Sequence, residues 1–101
     1  MSIMDGLRFE WDARKDAANR RKHGVSFSEA KTVFFDEDAV EYPDPDHSED
    51  EDRFLLIGTS FRLRVLLVCH CYRARESTIR IVSARKATRK EREIHLRGAK
   101  R

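Results

Sequence analysis

The chain has 101 residues, of which 40% are hydrophobic and 39% charged, with a formal net charge of +3. That length predicts one domain over residues 1–101, with a core small enough that a partner's burial would add stability. No apolar run approaches the roughly 20 residues that cross a bilayer, and the opening MSIMDGLRFEWD lacks a basic-then-apolar leader. The expectation is therefore a cytoplasmic protein with no membrane partner.

Residues 7–11 (LRFEW) alternate and carry aromatics, which predicts a short first strand. Asp12 is placed to cap a helix over 13–23, mostly polar and basic at its end, and Gly24 supplies a left-handed stop. Ser26 and Glu29 then form a capping box for a second helix, whose Phe27, Ala30, Val33 and Phe34 make one apolar stripe. The tight HGVS junction should hold the two helices at a fixed angle. Residues 36–52 carry ten acids and no Lys or Arg, with Pro43 and Pro45 inside the run. A short strand near 39–42 and an exposed loop are expected there. The loop is either a solvated segment, a shield for a basic face or a dock for a basic partner.

Three strands should follow at 54–58, 63–72 and 77–85, joined by polar turns as an antiparallel meander. The middle one is apolar on both faces and so central. Thr88 and Glu91 form a second capping box, opening a helix to about Leu96 that Gly98 should end. Two N-terminal helices, a small antiparallel sheet and one C-terminal helix make the fold class α+β.

Residues 73–101 hold eleven bases and three acids, a balance of +8 that points to a polyanion such as nucleic acid. Nucleotide-binding loops of the GxGxxG or GxxxxGK[ST] type, HExxH, CxxC and GxSxG are all missing from the sequence. Cys69 and Cys71 share one strand face with His70 on the other, which suits two buried thiols better than a metal pair. What remains is arginine, lysine, histidine and hydroxyls.

Alternation on 79–85 sets Ile79, Ile81, Ser83 and Arg85 on one face and Arg80, Val82 and Ala84 on the other. Arg85 lies at the strand end, where a bulge can turn it either way. Arginine pairs with phosphate through a planar fork, and Arg80 has this role or that of a surface ion pair. His23 suits proton transfer or a helix C-cap. Trp11 suits base stacking or anchoring of the first strand. Cutting RNA without a metal needs a group to take the 2′-hydroxyl proton, one to protonate the leaving oxygen, and cations for the charge that builds on phosphorus.

The stretch FEWDARKDAANRRKHGVSFSEAKTVFFD (9–36) closely resembles the N-terminal signature of the BrnT family of type II toxins. EDRFLLIG (51–58) and IRIVSARKATRKERE (79–93) resemble its other two blocks in the same order. The resemblance implies a compact RelE-like ribonuclease that blocks translation by cutting RNA and needs no cofactor or metal. It also implies a BrnA-like ribbon-helix-helix antitoxin, a heterotetramer of two toxins and two antitoxins, and repression of the shared promoter, with DNA bound only through the antitoxin. Carried to matching positions, it makes Arg80 and Arg85 the ligands of phosphate and transition-state charge. Lys22 or His23 becomes the proton-transfer group, Arg53 a support for the scissile phosphate, and Trp11, Ser83 and Arg92 RNA contacts. Ser83 would also orient the strand end, and Glu91 caps the last helix. The alternative is a non-catalytic subunit that only binds RNA or the antitoxin.

Overall fold

The computed structural model describes residues 2–4, 7–46, 52–73, 75 and 77–99. Two short strands open the chain, β1 (Ser2–Met4) and β2 (Leu7–Glu10), paired antiparallel. Helix α1 (Ala13–His23) starts where Asp12 Oδ1 accepts from the amides of Arg14 at 2.7 Å and Lys15 at 3.2 Å. It ends at Gly24, whose φ of 70° lets its amide reach Arg20 O at 2.9 Å. Helix α2 (Phe27–Thr32) is capped by Ser26 Oγ, which accepts from Glu29 N at 3.0 Å, and it tightens into a 3-10 turn over Val33–Phe35. The helix junction is held as its sequence suggests: Asp16 Oδ1 accepts from Phe27 N at 2.9 Å, and Asn19 Nδ2 donates to Val25 O at 2.8 Å.

The other strands are β3 (Val40–Pro43), β4 (Arg53–Thr59), β5 (Val65–Arg73) and β6 (Thr78–Lys86), followed by α3 (Arg89–Ala99). The sheet order is β1-β2-β6-β5-β4-β3. The β3 to β6 stretch is the expected antiparallel meander. The first strand is not part of it: β2 lies parallel to β6, with Phe9 opposite Ile79, so the sheet is mixed. Both helices lie between β2 and the meander in sequence, which gives the chain the length a parallel return needs.

One face of the sheet packs against α1, α2 and the 3-10 turn through Phe9, Val25, Phe27, Ala30, Val33, Leu56, Leu66, Val68, Ile79, Ile81 and Ala84, all buried. Each large apolar side chain in this layer contributes about 1.5–3 kcal/mol by leaving water. Phe9 anchors it, with Phe34 and Phe35 edge-on at 5.3 and 6.1 Å. On the opposite face α3 folds back over β3 and β4 and covers Ile57. Gly98 does not end this helix, contrary to the sequence expectation, since α3 runs through it to Ala99. Its role is close packing: a Cβ there would stand 2.7 Å from Val40 Cγ2.

Three polar clusters tie the elements together. Glu29, 2% exposed, accepts from Ser60 Oγ at 2.7 Å and from the Arg64 guanidinium, linking α2 to the β4–β5 turn. Asp36 accepts from Thr59 N at 2.8 Å and from His95 Nε2 at 2.9 Å, linking the end of the 3-10 turn to β4 and α3. His70, fully buried, faces Val68 O through Nδ1 and Glu41 Oε2 through Nε2.

Candidate active site

The site begins with an irregularity in β6. Cys69 stands opposite Ser83 but His70 stands opposite Ile81, so Val82 is an extra residue in the ladder, a β-bulge. The bulge reverses the parity of everything after it. Ser83 and Arg85 therefore share the face of Arg80, beside Cys69, Leu67 and Cys71, while Ala84 joins Ile79 and Ile81 in the core. Simple alternation splits Arg80 from Ser83 and Arg85. The extra residue accounts for the difference, and no side-chain pattern announces it.

The second half of β6 also lacks a strand on one side, because β2 pairs only with Thr78 to Arg80. Asn19 takes that place. Its Nδ2 donates to Ala84 O at 2.8 Å and its Oδ1 accepts from Ala84 N at 3.1 Å. A buried side-chain amide thus completes the ladder that holds Ser83 and Arg85, and it brings the end of α1 to the sheet edge.

Where α3 leaves the sheet face uncovered there is a cleft of about 330 Å³. His23 reaches it from the end of α1, Arg53 and Leu55 from β4, Leu67 and Cys69 from β5, Ser83, Ala84 and Arg85 from β6, and Asp44 and Asp46 from the turn after β3. Of the residues singled out from sequence, His23, Arg53, Ser83 and Arg85 come together here. Arg85 holds Glu91 in a fork, at 2.8 and 2.9 Å, and Glu91 Oε1 also accepts from Thr88 N at 2.8 Å. The cap of α3 thereby fixes the direction of the guanidinium. The Arg85 hydrogen bonds hold the Glu91 carboxyl below its usual range.

The other candidates stand outside the cleft. Arg80 is on the same sheet face, bonded to Glu10 Oε2 at 2.8 Å. Lys22 is exposed beside His23. Trp11 packs edge-on against Phe27 at 6.2 Å and is half-buried. Arg92 is exposed on the first turns of α3 and donates to Ala87 O at 3.2 Å.

Asp44 and Asp46 are the cleft residues that sequence reasoning passed over, since the whole acidic run reads alike. The usable signal is local: Asp-Pro-Asp directly after a strand builds an Asx turn, here with Asp44 Oδ1 accepting from Asp46 N at 3.0 Å. Residues 47–51 of that run lie outside the described residues. Cys69 and Cys71 are buried and not joined in a disulfide. Burial, followed by the nearby Asp44 charge, pushes the Cys69 thiol up to about 11, so it stays protonated and inert. Among the described residues no helix is long and apolar enough to cross a membrane.

Comparison with known proteins agrees with this architecture. No curated protein matches the chain. The crystal structure of the Brucella abortus ribonuclease toxin, BrnT, superposes with a TM-score of 0.63 at 21% identity, covering 82% of this chain and 99% of that one. At that identity the likeness establishes the fold. The family model described as "Ribonuclease toxin, BrnT, of type II toxin-antitoxin system" matches residues 11–91, from the Trp11 that follows β2 to the Glu91 that holds Arg85. The chain therefore belongs to the BrnT family of ribonuclease toxins of type II toxin–antitoxin systems.

Proposed function

We propose that this chain is a metal-independent endoribonuclease that stops translation by cutting RNA in the cleft on its sheet face. The observation that carries this reading is the convergence of His23, Arg53, Ser83 and Arg85 from three separate elements into one cleft. Two permanently charged forks supply fixed positive charge where it builds on phosphorus, and such preorganised charge is often the largest catalytic contribution. His23 supplies proton transfer, with Lys22 beside it adding charge at the rim. Ser83 and the outlying Arg80 and Arg92 hold flanking phosphates, and Trp11 contacts RNA with its exposed edge.

Membership of a type II family supports an antitoxin partner. In this proposal it is a BrnA-like ribbon-helix-helix protein, binding two to two, that covers the cleft and represses the shared promoter through its own DNA contacts. Work in the cytoplasm follows from that target.

The test is cleavage of a labelled transcript with EDTA present, naked and in a translating extract. Wild type should cut. His23→Ala should lose about 10²–10⁴-fold, and the Arg80→Ala, Arg85→Ala double variant at least about 10²-fold. Wild-type protein that retards RNA in a gel and never shortens it in either setting would replace this reading with the binding-only one.

A further inference from the structure

We propose that Asp44 is a second proton-transfer group of this cleft, the base that takes the 2′-hydroxyl proton while His23 protonates the leaving 5′-oxygen. The inference rests on the ribonuclease reading and assigns it a residue.

The geometry is that of a built carboxylate. Asp44 follows the last residue of β3, and its amide donates to Arg53 O at 2.9 Å, which ties it to the strand that carries Arg53. Its Oδ1 is engaged by Asp46 N at 3.0 Å, so the carboxylate is oriented by its own turn. Its Oδ2 accepts only a weak, long contact from Cys69 Sγ at 3.8 Å among the described residues, and the residue lines the cleft. Cys69 is too firmly protonated to compete as base or nucleophile. His23 lines the same cleft from α1, a different wall from the β3–β4 turn, and Arg53 and Arg85 line it with them. A carboxylate, an imidazole and two guanidiniums in about 330 Å³ match the parts of an in-line transesterification.

The step balances without a co-reactant. Asp44 Oδ2 accepts the 2′-hydroxyl proton as the 2′-oxygen bonds to phosphorus. The bond from phosphorus to the 5′-oxygen breaks, and that oxygen takes a proton from the His23 imidazolium. The products are a 2′,3′-cyclic phosphate and a 5′-hydroxyl, and transfer of a proton from Asp44 to His23 through solvent restores the site. The charged and titratable groups around Asp44 are Asp46 on its own turn, Tyr42 on β3, Arg53 on β4, Cys69 on β5, Arg85 on β6 and His23 on α1.

The experiment is the pH dependence of transcript cleavage by wild type, Asp44→Asn, Asp44→Glu, Asp46→Asn and His23→Ala, with the products assayed for the cyclic phosphate. Asparagine keeps the Oδ1 acceptor of the turn, so Asp44→Asn should melt near the wild type. It should lose kcat by about 10²–10⁴-fold with little change in KM, and the acid limb of the profile should flatten. Asp44→Glu should restore part of the rate with the acid limb present, and Asp46→Asn should keep both limbs.

Equal or faster cleavage by Asp44→Asn would make Asp44 a charge that merely repels RNA, and would overturn the proposal. A slower Asp44→Asn with both limbs intact would assign it a structural role and overturn the proposal equally. If Asp44→Asn fails to fold, Asp44→Glu decides: an acid limb moved from its wild-type position supports the base, and an unmoved one refutes it. An active wild type that dies with His23→Ala but not Asp44→Asn sinks this inference alone. A wild type inactive on naked RNA and in extract sinks the ribonuclease reading with it.

Discussion

Asn19→Ala is the substitution whose cost follows most directly from the structure. Asn19 is 7% exposed on an otherwise solvent-facing helix. Its amide donates to Val25 O and Ala84 O, both at 2.8 Å, and accepts from Ala84 N at 3.1 Å. Alanine would leave three buried backbone groups without partners. At about 1 kcal/mol net for each, and more where water cannot enter, the loss is about 3 kcal/mol, reduced by about 0.5 kcal/mol of better helix propensity. For a domain of this size each kcal/mol lowers the melting temperature by about 4–8 °C, so a fall of about 10–20 °C is expected. Urea and thermal unfolding followed by circular dichroism measure it, with an unchanged urea slope showing that only stability has moved. Amide exchange at Ala84 should accelerate by more than global unfolding accounts for, because the edge of β6 opens locally. Asn19→Asp should be worse than alanine, since it keeps the acceptor for Ala84 N but sets a carboxylate against two carbonyls. A loss below about 1 kcal/mol in Asn19→Ala, with Ala84 still protected, would refute the claim that this amide stands in for a missing strand.

Gly98→Ala should destabilise by about 1 kcal/mol or more although alanine is the better helix former, because its Cβ meets Val40 Cγ2 at 2.7 Å; adding Val40→Ala should recover part of the loss in a double-mutant unfolding cycle. Acid should weaken the fold through Glu29 and Asp36. Burial alone would raise both, but Arg64 and Ser60 on Glu29, and Thr59, Asp38 and His95 on Asp36, bring both below their ordinary values. Groups with lowered folded pKa stabilise above their unfolded values and lose that contribution as pH falls through the folded ones. Unfolding free energy should therefore decline below about pH 4.5, and the decline should be shallower in Glu29→Gln, which a urea series against pH would read. Native Cys69 should resist iodoacetamide at pH 8, because its thiol is pushed up to about 11; mass spectrometry of the folded and urea-unfolded chain should find alkylation only in the latter.

The local chemistry of the chain was legible without a structure. Asp12, Ser26 and Thr88 mark helix starts by accepting from amides two or three residues on, and Gly24 marks an end by donating its own amide to Arg20 O; such bonds need only local spacing. The apolar runs of β4, β5 and β6 announce covered strands, and the +8 balance of the last third announces a polyanion partner. The resemblance placed His23, Arg53, Ser83 and Arg85 among the functional residues, and the fold gathers these four into one cleft.

Contacts between distant residues were not legible. The parallel pairing of β2 with β6 joins residues about seventy positions apart, and alternation in either strand is the same whichever neighbour it finds. The Val82 bulge leaves no mark in a pattern that reads only side chains, yet it decides that Arg85 faces the cleft. Asn19 looks like any polar residue of a polar helix until the edge of β6 is seen to lack a partner. Gly98 reads as a stop because glycine favours one, and only the approach of β3 shows why a helix keeps it. Asp44 is one acid among ten until the Asx turn and Arg53 aim it inward. Sequence by itself determined most of the elements and the capped helix ends, because those energies are local. Tertiary structure alone decided register, faces and the membership of the cleft, because those depend on which distant backbone groups remain to be satisfied.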